Sequence, residues 1–121
     1  MAKSVTPTKK KGSYFQVHAD WFNSDAFRSM SLPSRALLFE FLNIYRPFRN
    51  GELVISTRQA KKLLGVSENT AVNAFHNLVE HGFLVLINHE NWTQRKAREF
   101  ELTIMKRDDR EPKHLWKLWE P

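Results

Sequence analysis

The chain contains no cysteine. That absence excludes disulfide staples, thiolate nucleophiles and cysteine-ligated zinc, and it accords with a reducing compartment, so a cytoplasmic protein is expected. Glycine is scarce, at four residues in 121, so each glycine is a candidate for a backbone position that other residues resist. No apolar run approaches the roughly 20 residues that span a bilayer. The lysines near the start are followed by no apolar stretch of signal-peptide type, and neither a membrane contact nor a secretory leader is expected. Catalytic signatures are missing too: there is no HExxH, no glycine-rich phosphate loop and no GxSxG. The histidines at 18, 76, 81, 89 and 114 are scattered, and His76 and His81 stand five apart on one predicted helix, a poor spacing for a shared metal. An enzyme, a metal or a cofactor is therefore not expected. A last absence is local. Residues 67–81 hold no lysine or arginine, although the chain carries 19 of them against 13 acidic residues, for a net charge of +6.

A chain of 121 residues is the size of one domain and buries roughly two-thirds of its unfolded surface. Its positive charge points to a polyanionic partner, with nucleic acid ahead of a membrane surface or an acidic protein. Residues 1–12 carry Lys3, Lys9, Lys10 and Lys11 with almost nothing to bury, which reads as a disordered basic arm, either a tail along phosphates or a solubilising terminus. Residues 13–105 hold the folded domain with an N-terminal extension, and residues 106–121 a charged connector and a short apolar helix.

The most informative stretch is 56–83, STRQAKKLLGVSENTAVNAFHNLVEHGF. It reads as a helix over about 58–64 with Ala60, Leu63 and Leu64 inward, a stop at Gly65, and a plug at Val66. Ser67 is placed to cap a second helix, 68–80, whose Ala71, Ala74, Phe75 and Leu78 recur at steps of three and four on one buried stripe. Upstream, 14–17 alternates like a short strand, Trp21, Phe22 and Phe27 read as core aromatics, and 31–45 reads as a helix apolar nearly all round, buried on more than one side. Asn50-Gly51 signals a turn before a short strand at 53–55. Downstream, 83–88 and 100–104 read as a hairpin pair, with Glu101 and Thr103 on the outward face and a long loop, HENWTQRKAR, between. Leu115, Trp116, Leu118 and Trp119 must be covered, by docking on the same chain or, as the alternative, in a homodimer.

Leu64, Gly65, Val66, Ser67, Thr70, Ala71, Ala74, Phe75, Leu78, Gly82, Phe83 and Leu84 resemble the helix-turn-helix of winged-helix DNA-binding proteins from bacteria, phages and mobile elements. The resemblance spans about residues 32–104. It implies a mainly α fold with a small β-hairpin wing, a winged helix-turn-helix, bound to double-stranded DNA and nucleoid-associated. Small transcriptional regulators and replication-initiator domains share the pattern, and NGELVIS before the helix pair is similar to the second group. The lack of a ligand domain in this chain favours a small regulator.

In such a fold the second helix lies in the major groove. The resemblance then places Glu68, Asn69, Thr70, Val72, Asn73, His76 and Asn77 near base edges. Asparagine pairs bidentately with adenine, and glutamate accepts from cytosine N4. That helix has no cation, so phosphate contacts fall to Arg58, Lys61 and Lys62, to the backbone N–H groups at Ser67, to Arg95, Lys96 and Arg98 on the wing, and to Lys9, Lys10 and Lys11 on the arm. The competing reading is an interaction module that docks on another protein.

Replacing Arg95 and Lys96 together by alanine is expected to weaken binding to every duplex and to flatten its salt dependence. Asn73→Ala is expected instead to relax sequence preference, by about 1–3 kcal/mol at one base pair. Anisotropy titrations on random and selected duplexes separate the two effects, and unchanged affinity in both variants removes the DNA reading.

Overall fold

Four of the five α-helices seen among the described residues begin at a serine whose hydroxyl accepts a backbone N–H three residues on. The computed structural model describes residues 12–87 and 98–121. Helix α1 spans Ala19–Phe22 and α2 spans Asp25–Ser29, with Ser24 as its cap. Helix α3, Leu32–Ile44, starts at Ser31 with Pro33 in its first turn, where the missing N–H costs nothing. Helix α4, Thr57–Leu64, has a full capping box between Ser56 and Gln59. Helix α5 runs Glu68–Glu80 from Ser67. A two-stranded antiparallel sheet follows, β1 at Leu84–Leu86 and β2 at Phe100–Leu102, with Val85 opposite Glu101. The chain is thus mainly helical with a small sheet, and no described helix is long and apolar enough to cross a membrane.

The core forms where α3 and α5 face each other and the sheet closes one end. Leu37, Leu38, Phe41 and Leu42 of α3 meet Ala71, Ala74, Phe75 and Leu78 of α5, all buried. The ring of Phe41 stands edge-on to Phe75 at 6.1 Å and to Phe100 at 5.6 Å. A second cluster joins Trp21 and Phe27 to Phe83, with ring centroids 5.5–6.2 Å apart. Helix α3 is less enclosed than its composition implies, because Leu32, Ala36 and Ile44 face solvent. Residues 14–17 form no strand. They pair with no described strand, and Phe15 leans on Phe39 at 6.3 Å.

The expected strand at 53–55 is a single antiparallel bridge between Leu53 and Phe100. The hairpin strands are shorter than the apolar runs that announce them, and the long loop lies outside the described residues. Asn50 of the Asn-Gly turn is buried, and its side chain is fully engaged. Its Nδ2 donates to the carbonyls of Leu102, Met105 and Lys106 at 2.9–3.1 Å, and its Oδ1 accepts the Leu102 N–H at 2.7 Å.

Glu101 corrects the two-faced picture of β2. It is only 2% exposed, and its Oε1 holds both Arg107 Nη1 at 3.0 Å and Lys113 Nζ at 3.1 Å. The segment after the sheet folds back over the face that alternation alone assigns to water. Thr103 is buried beside it and donates to the Gly82 carbonyl at 2.6 Å. Tyr45 donates to the Lys106 carbonyl at 2.8 Å, and burial pushes its phenol pKa up.

Of the C-terminal apolar residues, Trp116 and Trp119 pack against their own chain. The segment forms a 3₁₀ turn at Leu115–Leu118, not an α-helix. Trp116 lies parallel to Phe83 at 6.4 Å and Trp119 stacks on His81 at 4.8 Å, while Leu118 stays 77% exposed. Gly82 is needed for this docking. Its φ is +85°, and a Cβ there would stand 2.7 Å from the backbone of Leu115 and Trp116.

Glu101→Ala removes the carboxylate that holds both cations and is expected to lower stability by about 1–3 kcal/mol in urea unfolding. In a double-mutant cycle with Lys113→Ala the coupling is expected below about 1 kcal/mol, because that lysine is half exposed and easily rehydrated.

Candidate nucleic-acid interface

Helix α5 is presented by the turn that precedes it. Gly65 takes φ +68° and ψ +41°, and its N–H and that of Val66 both reach back to the Lys61 carbonyl, at 2.8 and 3.2 Å. This left-handed stop closes α4 and turns the chain sharply toward Ser67. The Ser67 hydroxyl accepts the Thr70 N–H at 3.2 Å and donates to Thr70 Oγ1 at 3.0 Å. Leu63, expected inward, is 52% exposed. A helix of eight residues turns only one narrow stripe to the core, and Ala60 with Leu64 fills it.

The residues expected near bases divide into two groups. Glu68, Asn69, Asn73 and His76 are exposed. Asn69, Asn73 and His76 follow steps of four and three on the side opposite the buried stripe, so they form one outward row, which Glu80 continues. Thr70 and Val72 are half-buried at the edges. Asn77 is different. Its Oδ1 accepts the Ser31 N–H at 3.1 Å and the Ser34 hydroxyl at 2.8 Å, with the Ser31 hydroxyl at 3.5 Å. Its carboxamide is committed to α3, and it leaves the outward row.

Of the expected phosphate contacts, Arg58 and Lys62 are exposed on α4 and Lys61 is half-buried beside them. Lys61 and Lys62 occupy the last turn, where cations also suit the helix dipole. Arg98 enters β2 and lines an open cleft of about 390 Å³ between α5 and the sheet, together with His76, Val79, Glu80 and Leu86. Arg95, Lys96, Lys9, Lys10 and Lys11 lie outside the described residues. The structure therefore gathers Asn69, Asn73 and His76 on one helix face, with Arg98 near the C-terminal half of that helix.

No protein-family model, no curated protein and no solved structure matches this chain. The reading of the interface rests on its own geometry. Two features of that geometry escape the sequence: the capture of Asn77 by serines more than forty positions away, and the stacking of Trp119 on His81 at the end of α5. The SLPS run at the start of α3 marks a capped helix, yet nothing local marks its partner Asn77.

Ser67→Ala is expected to cost about 1 kcal/mol through the lost cap, and Ser67→Asp only a few tenths, since aspartate caps as well as serine. Urea midpoints of the two variants measure the difference.

Proposed function

We propose that this chain is a winged helix-turn-helix domain that binds double-stranded DNA with sequence preference and serves as a small transcriptional regulator. The observation that carries the reading is the outward row of Asn69, Asn73 and His76 on a capped helix that is held from behind. In this reading α5 enters the major groove with its N-terminal half. Asn69 and Asn73 present amide groups suited to adenine, and Glu68 an acceptor suited to cytosine N4. The Leu53–Phe100 bridge beside the β1–β2 pair suits a three-stranded wing base.

Affinity and specificity come from different places on the molecule. Arg58, Lys61, Lys62 and Arg98 neutralise phosphates around the helix, joined by Arg95, Lys96 and the lysines of the arm. Each neutralised phosphate steepens the fall of log K with log salt by about 0.9. The helix itself adds no cation, so its contacts discriminate between bases without adding to non-specific attraction. Origin binding of the replication-initiator kind uses the same surface and differs in the arrangement of sites on the DNA. A protein-contact role is the rival from another class, favoured by the cleft lined by Val79 and Leu86 and by the acidic ends of α5 at Glu68 and Glu80.

Anisotropy titrations against a randomised duplex pool, with recovery of bound sequences across a salt series, test the proposal. One enriched motif and steep salt dependence are expected. Ser67→Asp, which keeps the cap but adds an anion where a phosphate would sit, is expected to bind at least about tenfold more weakly with unchanged folding. No binding at low salt by the wild-type chain overturns the DNA reading in favour of the protein contact.

A further inference from the structure

We infer that Asn77 is a positioning residue, which fixes the rotation of α5 about its own axis and so decides which of its side chains face a bound duplex. The inference rests on the DNA reading for its consequence, and on the geometry of α3 and α5 for its cause.

The hydrogen bonds around Asn77 converge on its side-chain oxygen. The Ser31 N–H is an obligate donor, so the oxygen of the Asn77 carboxamide faces it, at 3.1 Å. The Ser34 hydroxyl donates to the same oxygen at 2.8 Å. The two serine hydroxyls lie 2.7 Å apart, and with the Ser34 proton on Asn77 the Ser31 hydroxyl is left to donate to Ser34 or, at 3.5 Å, to Asn77. The Ser31 oxygen in turn accepts the Ser34 N–H, at 3.4 Å, as the cap of α3. Ser34 is fully buried, which makes an unpaired hydroxyl there costly.

The flank continues one turn further. His81 Nδ1 lies 2.8 Å from the Asn77 carbonyl oxygen and 3.4 Å from Asn77 Nδ2. The other face of that imidazole carries Trp119 at 4.8 Å. Asn77 and His81, four residues apart, thus form a rail along one side of α5. The start of α3 grips one end and the C-terminal turn grips the other.

The apolar stripe of Ala71, Ala74, Phe75 and Leu78 does not fix this rotation alone. Two of its four members are alanines, which offer little relief to resist turning. Residues four apart on a helix differ by about 40° around its axis. A turn of that size would bring Val72 or Asn77 toward the position now held by the Asn69–Asn73 row. The Asn77 oxygen, held by two short directional bonds, resists that turn where the alanines of the stripe do not.

The test uses the full chain with Asn77→Ala, Asn77→Asp and Ser34→Ala. Asp keeps the accepting oxygen, and Ser34→Ala removes one donor without touching α5, which keeps the test usable if Asn77→Ala fails to fold. Residual dipolar couplings of backbone amides report the orientation of α5 against α3 in the free protein. They are expected to change in Asn77→Ala and Ser34→Ala and to match wild type in Asn77→Asp. Couplings unchanged in both alanine variants overturn the inference, whatever the protein binds. On DNA, Asn77→Ala is expected to alter preference at several base pairs at once, to stay within about twofold of wild type on random duplex, and to be rescued by Asn77→Asp. A change at a single base pair that Asp does not rescue would mark Asn77 as a base reader and sink the positioning role. If the wild-type chain selects no motif, the DNA reading fails separately, and the couplings alone decide the inference.

Discussion

Phe100 ties together parts of the chain that are far apart in sequence. Its ring packs against Phe41 of α3 at 5.6 Å and Phe75 of α5 at 5.7 Å. Its backbone pairs with Leu86 on one side and exchanges two bonds with Leu53 on the other, at 2.8 and 3.1 Å, and its carbonyl also takes the Gly51 N–H at 3.1 Å. The sheet, the Asn-Gly turn and two helices therefore share one residue. Moving it would open the aromatic core and the strand ladder together, so the position of the hairpin relative to α5 follows from core packing and not from surface contacts.

A helix offered to a long polyanion must be immobile on one side and bare on the other. Here the immobile side has three anchors of different chemistry: an apolar stripe against α3, a polar rail through Asn77 and His81, and an aromatic lid from Trp116 and Trp119 at its C-terminal end. Dispersion and apolar burial hold the helix in place without directing it, and the hydrogen bonds add direction. The bare side then needs no cation of its own, because the net positive charge is spread over other segments. In the proposed DNA-binding role that distribution would keep long-range attraction apart from short-range readout.

The helices were legible because their signals are local. Serines stand where helices begin, Gly65 stands where α4 ends, and the stripe of α5 follows the helical period. What stayed hidden depends on distant partners. Asn77 reads as an exposed polar residue until Ser31, 46 positions away, is brought to it. Glu101 alternates like a solvent-facing strand residue, yet the connector supplies two cations that cover it. Residues 14–17 show the opposite failure: the strand pattern is present, yet no described strand pairs with it. On α5 the positions off the buried stripe follow from spacing, whereas the engagement of Asn77 by α3 does not.

The saturation of Asn50 bears on the chemical ageing of the protein. An asparagine followed by glycine is the pair most prone to deamidation when the backbone is free to bring the next amide nitrogen onto the side-chain carbonyl. In the folded chain that side chain is fixed by four backbone partners, and the Arg107 guanidinium covers Gly51. The native state thus protects its own weakest covalent site. Aspartate formed there during a spell of unfolding would turn an oxygen toward three carbonyls that now receive N–H groups. Such a change would oppose refolding, which ties the covalent integrity of this turn to the native fold.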